Sequence, residues 1–236
     1  MTVLAAPVGA SAPHLLAQTS QPLFRWDYLT GEWPEIQAAI LQHLQLTVLS
    51  VAAGLAVSSL LAAIALRYRW TMAPITGFTG VLYTLPSVAL FALLAPIFGN
   101  QAAITAVIPL TMFTLLILVT NIVAGFQAVP RAVKDAADGM GLTPTTRVLT
   151  VELPLAVPLI VAGIRIATVS TIGLVTVAGI IGQGGLGRLI FDGLRRSFDT
   201  PMIIGAVFSV LLALCMDGLL LVLGRAVTPW TRATRS

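Results

Sequence analysis

Residues 130–154 read PRAVKDAADGMGLTPTTRVLTVELP, and this polar stretch, which we call the knob, separates long apolar runs on either side. The chain of 236 residues is 57% hydrophobic and only 9% charged. Soluble domains carry about 25% charged residues, so the composition predicts an integral membrane protein. The net charge of +4 is spread over few groups, which indicates membrane topology rather than a nucleic-acid partner.

The knob contains start and stop residues for two short helices. Pro130 suits the first turn of one helix, and Gly141 suits the left-handed position just past its end. Thr143 offers a cap and Pro144 a first turn for the second helix, which Pro154 is expected to end. The knob is therefore predicted to be a compact helix pair that projects from the membrane.

Five apolar stretches are long enough to cross a bilayer, which takes about 20 residues. They cover residues 44–66, 73–98, 102–126, 155–181 and 201–223. Pro86 and Pro109 lie inside the second and third stretches. Such prolines are tolerated in spans when neighbouring helices satisfy the freed backbone groups. The sequence therefore predicts an all-α integral membrane protein whose spans pack as a bundle.

The predicted organisation has four parts, which are a loose N-terminal tail (1–26), a short interfacial amphipathic helix (27–43), a transmembrane domain (44–226) containing the knob, and a C-terminal tail (227–236). The interfacial helix is predicted because Trp33, Ile36 and Ile40 share one helical face. An extension of the first span is the alternative. No basic segment precedes an apolar core near the start, so no cleavable signal is expected.

Lys and Arg concentrate on the cytoplasmic side of membrane proteins, and this bias predicts the orientation. With a cytoplasmic knob, that side carries Arg67, Arg69, Arg131, Lys134, Arg147, Arg225, Arg232 and Arg235. The outer side then carries Arg25, Arg188, Arg195 and Arg196. Eight charges against four predict a cytoplasmic knob and C-terminus and an N-terminus outside.

Small side chains dominate the first half of the knob. Asp135 places a carboxylate beside Ala136 and Ala137, while Gly139 and Gly141 remove bulk from the turn. Small residues let a partner surface approach the backbone, which favours mechanical coupling over catalysis. A DNA-reading helix–turn–helix is disfavoured because no basic recognition helix is present, and a plain connecting loop is the other alternative.

The knob resembles the EAA loop of bacterial ABC-importer permeases, in which Glu-Ala-Ala is followed by three residues, Gly, nine residues and Ile-x-Leu-Pro. The chain matches this spacing, with Asp135 in place of Glu and Val151 in place of Ile. Both replacements keep the chemical type. The resemblance implies that a separate ATPase contacts the knob, at Asp135, Ala136, Ala137, Gly139, Gly141, Leu142, Pro144, Val151, Leu153 and Pro154.

Three further segments, 84–90, 154–165 and 180–187, are similar to permeases for glycine betaine, choline, carnitine and proline betaine. The likeness covers residues 40–224 and implies the type I ABC-importer permease fold, with about five transmembrane helices. It also implies import of a small osmoprotectant. Methionine-importer permeases share much of the likeness, so import of methionine or another amino acid is the alternative.

The resemblance further implies the partners. Two permease chains, identical or paralogous, form the pathway in the bacterial plasma membrane, two ATPase subunits bind ATP and Mg²⁺, and a binding protein delivers the substrate from outside. The chain itself is expected to bind no cofactor and to be no enzyme, because it has no ATP-binding motif and no nucleophile–base pair. His14 and His43 lack further ligands at metal-binding spacing, so no metal site is expected.

Arg165 and Asp217 are charged residues inside apolar spans. Each costs about 2.5–3.5 kcal/mol at the bilayer centre, so we predict that they pair or that each faces a neighbouring subunit. An ion-coupled secondary transporter would need such groups near the midplane to bind its ion, and only these two qualify. A membrane enzyme would need a catalytic cluster, and the sequence offers none.

Gly182, Gly184, Gly185 and Gly187 follow the fourth predicted span. They predict a tight outer turn that either is a plain turn or helps to close an outer gate. A dinucleotide-binding loop is disfavoured because no strand precedes it. A quaternary ammonium substrate would suit an aromatic cage, but the 9 Phe, 3 Tyr and 4 Trp show no cluster along the sequence. Such a cage is therefore expected in the binding protein.

Overall fold

The computed structural model describes residues 24–100 and 102–232, and within these ranges every regular element is a helix. The α-helices are α1 (Trp26–Gly31), α2 (Trp33–Arg67), α3 (Met72–Thr84), α4 (Ser87–Phe98), α5 (Ala103–Gln127), α6 (Arg131–Gly139), α7 (Pro144–Arg147), α8 (Leu153–Val177), α9 (Leu186–Arg196) and α10 (Asp199–Val227). Predictions that fall on residues 1–23, His14 among them, and on Arg235 lie outside the described residues.

Four of the five predicted spans are confirmed as long apolar helical stretches, over Trp33–Arg67, Ala103–Gln127, Pro144–Ile181 and Asp199–Val227. The third of these runs through α7, a π-helical turn over Val148–Glu152, α8 and a 3-10 turn over Ala178–Ile181. Pro109 lies inside α5 without ending it. The described residues therefore form the predicted all-α membrane bundle.

The span predicted over 73–98, with Pro86 inside it, is broken at this proline. Arg69–Thr84 and Ser87–Phe98 are two helical stretches bent by 84°. Leu85 between them is extended, with ψ 134°, because a proline disfavours the α conformation in the residue before it. Pro86 also lacks the N–H that would continue the helix. Counted as one broken span, the pair brings the crossings in the described residues to five.

The helix boundary predicted near residue 43 is absent, because α2 continues unbroken from Trp33 through 35 residues. Its length is about 52 Å at 1.5 Å per residue, against a hydrocarbon core of about 30 Å. The apolar face predicted for a membrane surface instead packs on protein: Ile36 and Ala39 are buried with Leu186 of α9 and Ile204 of α10. Residues 33–43 therefore extend the first span, which was the alternative prediction for this segment.

α5 lies between α2 and α8 and forms the centre of the bundle. Near one end, Leu110 is buried together with Leu46 of α2 and Val175 of α8. Near the other end, Val119 is buried with Ala62 of α2. α10 packs on α8 and α9 but exposes much of its apolar surface, which suits a helix that faces lipid or a second chain.

The bundle has two distinct ends. The knob, the 3-10 turn Arg69–Thr71 and the end of α10 lie at one of them. At the opposite end the backbone N–H of Arg25 donates to Thr200 Oγ1 (3.0 Å), and Gln183 Nε2 donates to the Asn100 carbonyl (3.0 Å). The two candidate sites outside the membrane interior, the knob and the glycine turn, therefore lie at opposite ends of the same bundle.

Candidate functional site

The first knob helix, α6, ends on a left-handed glycine. Gly141 has φ +76°, a conformation that residues with a Cβ rarely adopt. Its N–H donates to the Asp138 carbonyl (2.9 Å), and the N–H of Leu142 donates to the Ala137 carbonyl (3.3 Å). These two bonds form a Schellman motif, which satisfies the last carbonyls of α6 and turns the chain toward the second helix.

The second knob helix begins as its sequence predicts and ends elsewhere. Thr143 Oγ1 accepts from the Thr146 N–H (3.3 Å) and caps α7, with Pro144 in the first turn. The prediction that Pro154 ends this helix is wrong, because the chain continues through the π-helical turn Val148–Glu152 into α8. A π turn shifts the hydrogen-bond register by one residue, and Pro154 lies in the first turn of α8 directly after it, where its missing N–H is tolerated.

The predicted ATPase-contact residues divide by exposure. Asp135, Ala136, Gly139, Gly141 and Pro144 are exposed. Leu142, Val151, Leu153 and Pro154 are half-buried, and Ala137 is buried. No atom lies within 4 Å of the position that a Cβ on Gly139 or Gly141 would take. The tip of the knob is therefore bare backbone open to a partner, flanked by the exposed side chain of Met140.

A buried carboxylate joins the two halves of the knob. Glu152 is only 5% exposed. Its Oε2 lies 3.0 Å from Lys134 Nζ of α6, and its Oε1 accepts from Arg147 Nε of α7 at 2.9 Å. Arg147 also donates to both carboxylate oxygens of Asp138, each at 2.6 Å. Because a buried charge is costly unless it is paired, these contacts hold α6, α7 and the π turn in one geometry.

The charge network also reaches the preceding span, since Lys134 Nζ donates to the Phe126 carbonyl of α5 at 3.2 Å. From the sequence, Lys134 and Arg147 entered only the charge count for the orientation, and no pairing with Asp138 or Glu152 was predicted. A signal was present, because Lys134 and Asp138 are four residues apart and share one face of α6. What the spacing could not show is that Glu152 folds back onto that face.

Arg165 and Asp217 lie together between α8 and α10. Arg165 Nε donates to Asp217 Oδ1 and its Nη2 donates to Oδ2, both at 2.8 Å. The planar guanidinium thus binds the carboxylate through two parallel bonds. The side chains remain 30% and 36% exposed, respectively. The two charges therefore form an ion pair with each other within the described chain.

The glycine turn is buried at the end of the bundle away from the knob. Gly182, Gly184 and Gly185 have positive φ angles of 79°, 97° and 52°. A Cβ on Gly185 would collide with the Ala39 carbonyl of α2, and one on Gly187 with the Thr176 carbonyl of α8. The turn therefore packs backbone to backbone against two spans, which no other residue type would permit.

Gln183 ties this turn to two further elements. Its side chain is 3% exposed. It accepts from Gln42 Nε2 of α2 at 3.0 Å and donates to the Asn100 carbonyl, after α4, at 3.0 Å.

His43 lies beside the turn, fully buried, with its Nε2 3.0 Å from the Ile172 carbonyl. Among the described residues, no three His, Cys, Asp or Glu side chains are grouped to hold a metal ion.

Comparison with known proteins identifies the relatives of this chain. The family described as binding-protein-dependent transport system inner membrane component matches residues 54–229. The osmoprotectant import permease protein OsmW of Salmonella typhimurium is 36% identical over 80% of this chain and 89% of its own length. The choline transport system permease protein OpuBB of Bacillus subtilis is 35% identical over 80% of this chain and 86% of its own.

Solved structures share the fold. A chain of the MetNI methionine ABC transporter in an inward-facing conformation matches 87% of this chain and all of its own, with a TM-score of 0.69 and 19% identity. A chain of an amino acid ABC transporter with histidines matches 86% of this chain and 98% of its own, with a TM-score of 0.71 and 20% identity. At this identity the match establishes the fold, the one predicted from the sequence.

The charge network of the knob can be tested by removing its central carboxylate. Glu152→Gln should lower the free energy of unfolding by about 1–3 kcal/mol, because Lys134 and Arg147 lose a charged acceptor. Chemical denaturation of the purified chain in detergent measures this. Asp135→Asn is the matched control, since this carboxylate on the same knob is exposed and makes no ion pair with a described residue. Equal stability of the two variants would refute the role of Glu152.

The Arg165–Asp217 pair can be tested by exchanging its charges. Arg165→Asp and Asp217→Arg should each abolish uptake by the reconstituted transporter, because each leaves two like charges side by side in a span. The double variant restores an opposite-charge pair and should regain a substantial part of the uptake. A double variant as inactive as the single ones would show that the pair is not what uptake requires.

Proposed function

This chain belongs to the family of binding-protein-dependent transport system inner membrane components. From this membership we propose that it forms part of the pathway of an ATP-driven importer. We further propose that a separate ATPase subunit binds the knob. The observation that carries the proposal is the knob itself. Two capped helices, locked by a buried carboxylate, present bare backbone at Gly139 and Gly141. A rigid projection with an open tip suits insertion into the cleft of a partner.

We propose that the cargo is a small osmoprotectant such as glycine betaine, choline, carnitine or proline betaine. The support is the identity of 35–36% over four fifths of the chain with permeases named for osmoprotectants and for choline. A third relative at 35% identity is the glycine betaine/carnitine/choline transport system permease protein OpuCB of Bacillus subtilis. Import of methionine or another amino acid is less well supported, because the matching solved chains are only 19–20% identical.

The proposed mechanism is alternating access, in which one long helical stretch transmits movement from the knob to the opposite end of the bundle. Pro144–Ile181 is a continuous helical stretch of 38 residues, about 57 Å long at 1.5 Å per residue. One end carries the knob, and the other leads directly into the glycine turn. When the partner ATPases close on ATP, they displace the knob, and the same helix carries the displacement to the opposite end of the bundle.

The glycine turn is the proposed outer gate at that opposite end. Gly185 and Gly187 pack against the backbone of α2 and α8, and Gln183 hydrogen-bonds to Gln42 of α2 and to the Asn100 carbonyl after α4. Movement of α8 relative to α2 would separate these contacts together, because they share one short segment. Gly182, Gly184, Gly185 and Gly187 thus close the outer end when packed and open it when α8 moves.

The remaining parts of the importer come from other chains. Two ATPase subunits bind ATP and Mg²⁺ and hydrolyse the nucleotide, so this chain needs no cofactor and performs no chemistry. A second permease, identical or paralogous, completes the pathway, and a binding protein docks at the end that holds α1 and α9. The bacterial plasma membrane surrounds the bundle, with the knob and C-terminus cytoplasmic and the N-terminus outside.

Bulk at the tip of the knob should uncouple the importer. Gly141→Trp should leave the chain inserted and the ATPase active but abolish ATP-dependent uptake of glycine betaine into proteoliposomes, because the indole blocks the approach of the partner. Gly139→Trp should act alike without backbone strain, since residue 139 is helical. Gly141→Asn, which tolerates the left-handed conformation, should keep most uptake. Wild-type uptake in both tryptophan variants would mean that the knob is not the coupler.

Cysteine labelling tests the orientation. In a Cys215→Ala background, a thiol introduced by Thr145→Cys should react with a membrane-impermeant maleimide only in inside-out vesicles, because this exposed residue lies on the knob. A thiol introduced by Arg196→Cys, which is exposed at the end of α9, should react only in intact spheroplasts. The reverse pattern would invert the proposed topology.

A further inference from the structure

A cavity of about 280 Å³, open on one side, lies between α3, α5 and α8. Tyr83 on its wall is eleven residues beyond the start of α3, or about 17 Å along that helix. Phe113 is ten residues beyond the start of α5, or about 15 Å. Since α3 and α5 enter from opposite ends and the hydrocarbon core is about 30 Å thick, the cavity lies near the middle of the membrane.

Two aromatic rings meet on the wall of this cavity. The ring centroids of Tyr83 and Phe113 are 5.6 Å apart, and the ring planes cross at 63°. Rings that meet at an angle form a corner and leave ring faces free for a third group. The face of an aromatic ring is electron-rich and attracts cations, and aromatic cages bind quaternary ammonium groups in this way.

The electrostatics of the cavity favour a cation held without an ion pair. No Asp, Glu, Lys or Arg lines it. α3 ends at Thr84, one residue beyond Tyr83, so the negative end of its helix dipole lies beside the aromatic corner. A carboxylate would hold a cation tightly, whereas a ring corner and a helix end hold it weakly. Weak binding suits a passage site, from which the cargo must leave again.

Hydroxyl side chains of α8 line the same cavity. Thr168 and Thr176 of this helix donate to carbonyls of their own helix at 2.8 and 2.6 Å, whereas no described residue hydrogen-bonds the hydroxyl of Ser170 or Thr171. Thr171 is only 1% exposed and Ser170 is exposed, and both residues line the cavity. Each hydroxyl can therefore hydrogen-bond to a carboxylate or hydroxyl of a molecule bound in the cavity.

We propose that this cavity is a passage site for the quaternary ammonium head group of the cargo. The trimethylammonium group lies in the corner of Tyr83 and Phe113, and the polar end of the molecule bonds to Ser170 and Thr171. The cavity is at the small end of ligand sites, which span about 300–1,000 Å³, and so takes a compact cation. This assignment rests on the proposed osmoprotectant cargo and extends it to the residues that hold the cargo in transit.

The aromatic corner is tested by transport kinetics in proteoliposomes containing the whole importer. Tyr83→Leu and Phe113→Leu should each lower the rate of glycine betaine uptake about 3- to 30-fold, the range of a cation–π contact, while binding-protein-stimulated ATP hydrolysis persists. Tyr83→Phe keeps the ring and should lower the rate less than Tyr83→Leu does. Phe78→Leu is the matched control on α3, because Phe78 is 62% exposed and does not line the cavity. Wild-type rates in both leucine variants would overturn the site.

A second measurement stays decisive if the leucine variants fail to assemble. In a Cys215→Ala background, Ser170→Cys places a thiol in the cavity. A methanethiosulfonate that carries a trimethylammonium group should label this thiol, and saturating choline should slow the labelling at least severalfold. Choline should not protect the thiol introduced by Thr145→Cys on the knob. Absence of protection at position 170, in an importer that takes up choline, would overturn the site.

The two proposals fail in different ways. If the wild-type importer takes up no glycine betaine, choline, carnitine or proline betaine, the proposed cargo is wrong. The proposed passage site is then wrong as well. If it takes up any of them but position 170 is unprotected and the aromatic corner is dispensable, the cargo stands and only the site is wrong. A cavity filled by lipid or by a side chain of the second permease would give this second result.

Discussion

In a membrane interior, every backbone N–H and C=O must find a partner within the protein, and the described structure follows from this constraint. Helices satisfy it along most of the chain. Inside the bundle the chain leaves α-helical geometry at two places, the break after α3 and the glycine turn. At Leu85 and Pro86 the backbone is extended between α3 and α4. In the glycine turn, Gly184 and Gly185 have positive φ and pack against backbone carbonyls and amides of neighbouring segments.

These interruptions of α-helical geometry lie at or beside the sites proposed to function in transport. The break after α3 lies beside the cavity lined by Tyr83 and Phe113. The π-helical turn Val148–Glu152 joins the knob to α8 without interrupting the helical stretch. That continuity matters mechanically, because a flexible hinge at the membrane surface would absorb the displacement of the knob. A helix that reaches unbroken from the knob to the glycine turn transmits it.

Much of this arrangement could be predicted from the sequence, because the signals were local. Four spans follow from apolar length, the turn at Gly141 from its glycine, and the start of α7 from Thr143. Other features depend on residues that only folding brings together. The role of Glu152 needs Lys134 and Arg147, and the aromatic corner joins residues thirty positions apart. Pro154 misled the prediction because a proline is equally acceptable at the start of a helix, which is its position in α8.

The central claim is that partner ATPases drive this chain, and reconstitution tests it most directly. The chain, its ATPase, any second permease and the binding protein are placed in proteoliposomes, and uptake of radiolabelled glycine betaine is measured with and without ATP. The account predicts uptake that requires ATP and the ATPase and that continues when an ionophore collapses all ion gradients. Uptake by this chain without ATP, driven by a sodium or proton gradient and abolished by the ionophore, would contradict it.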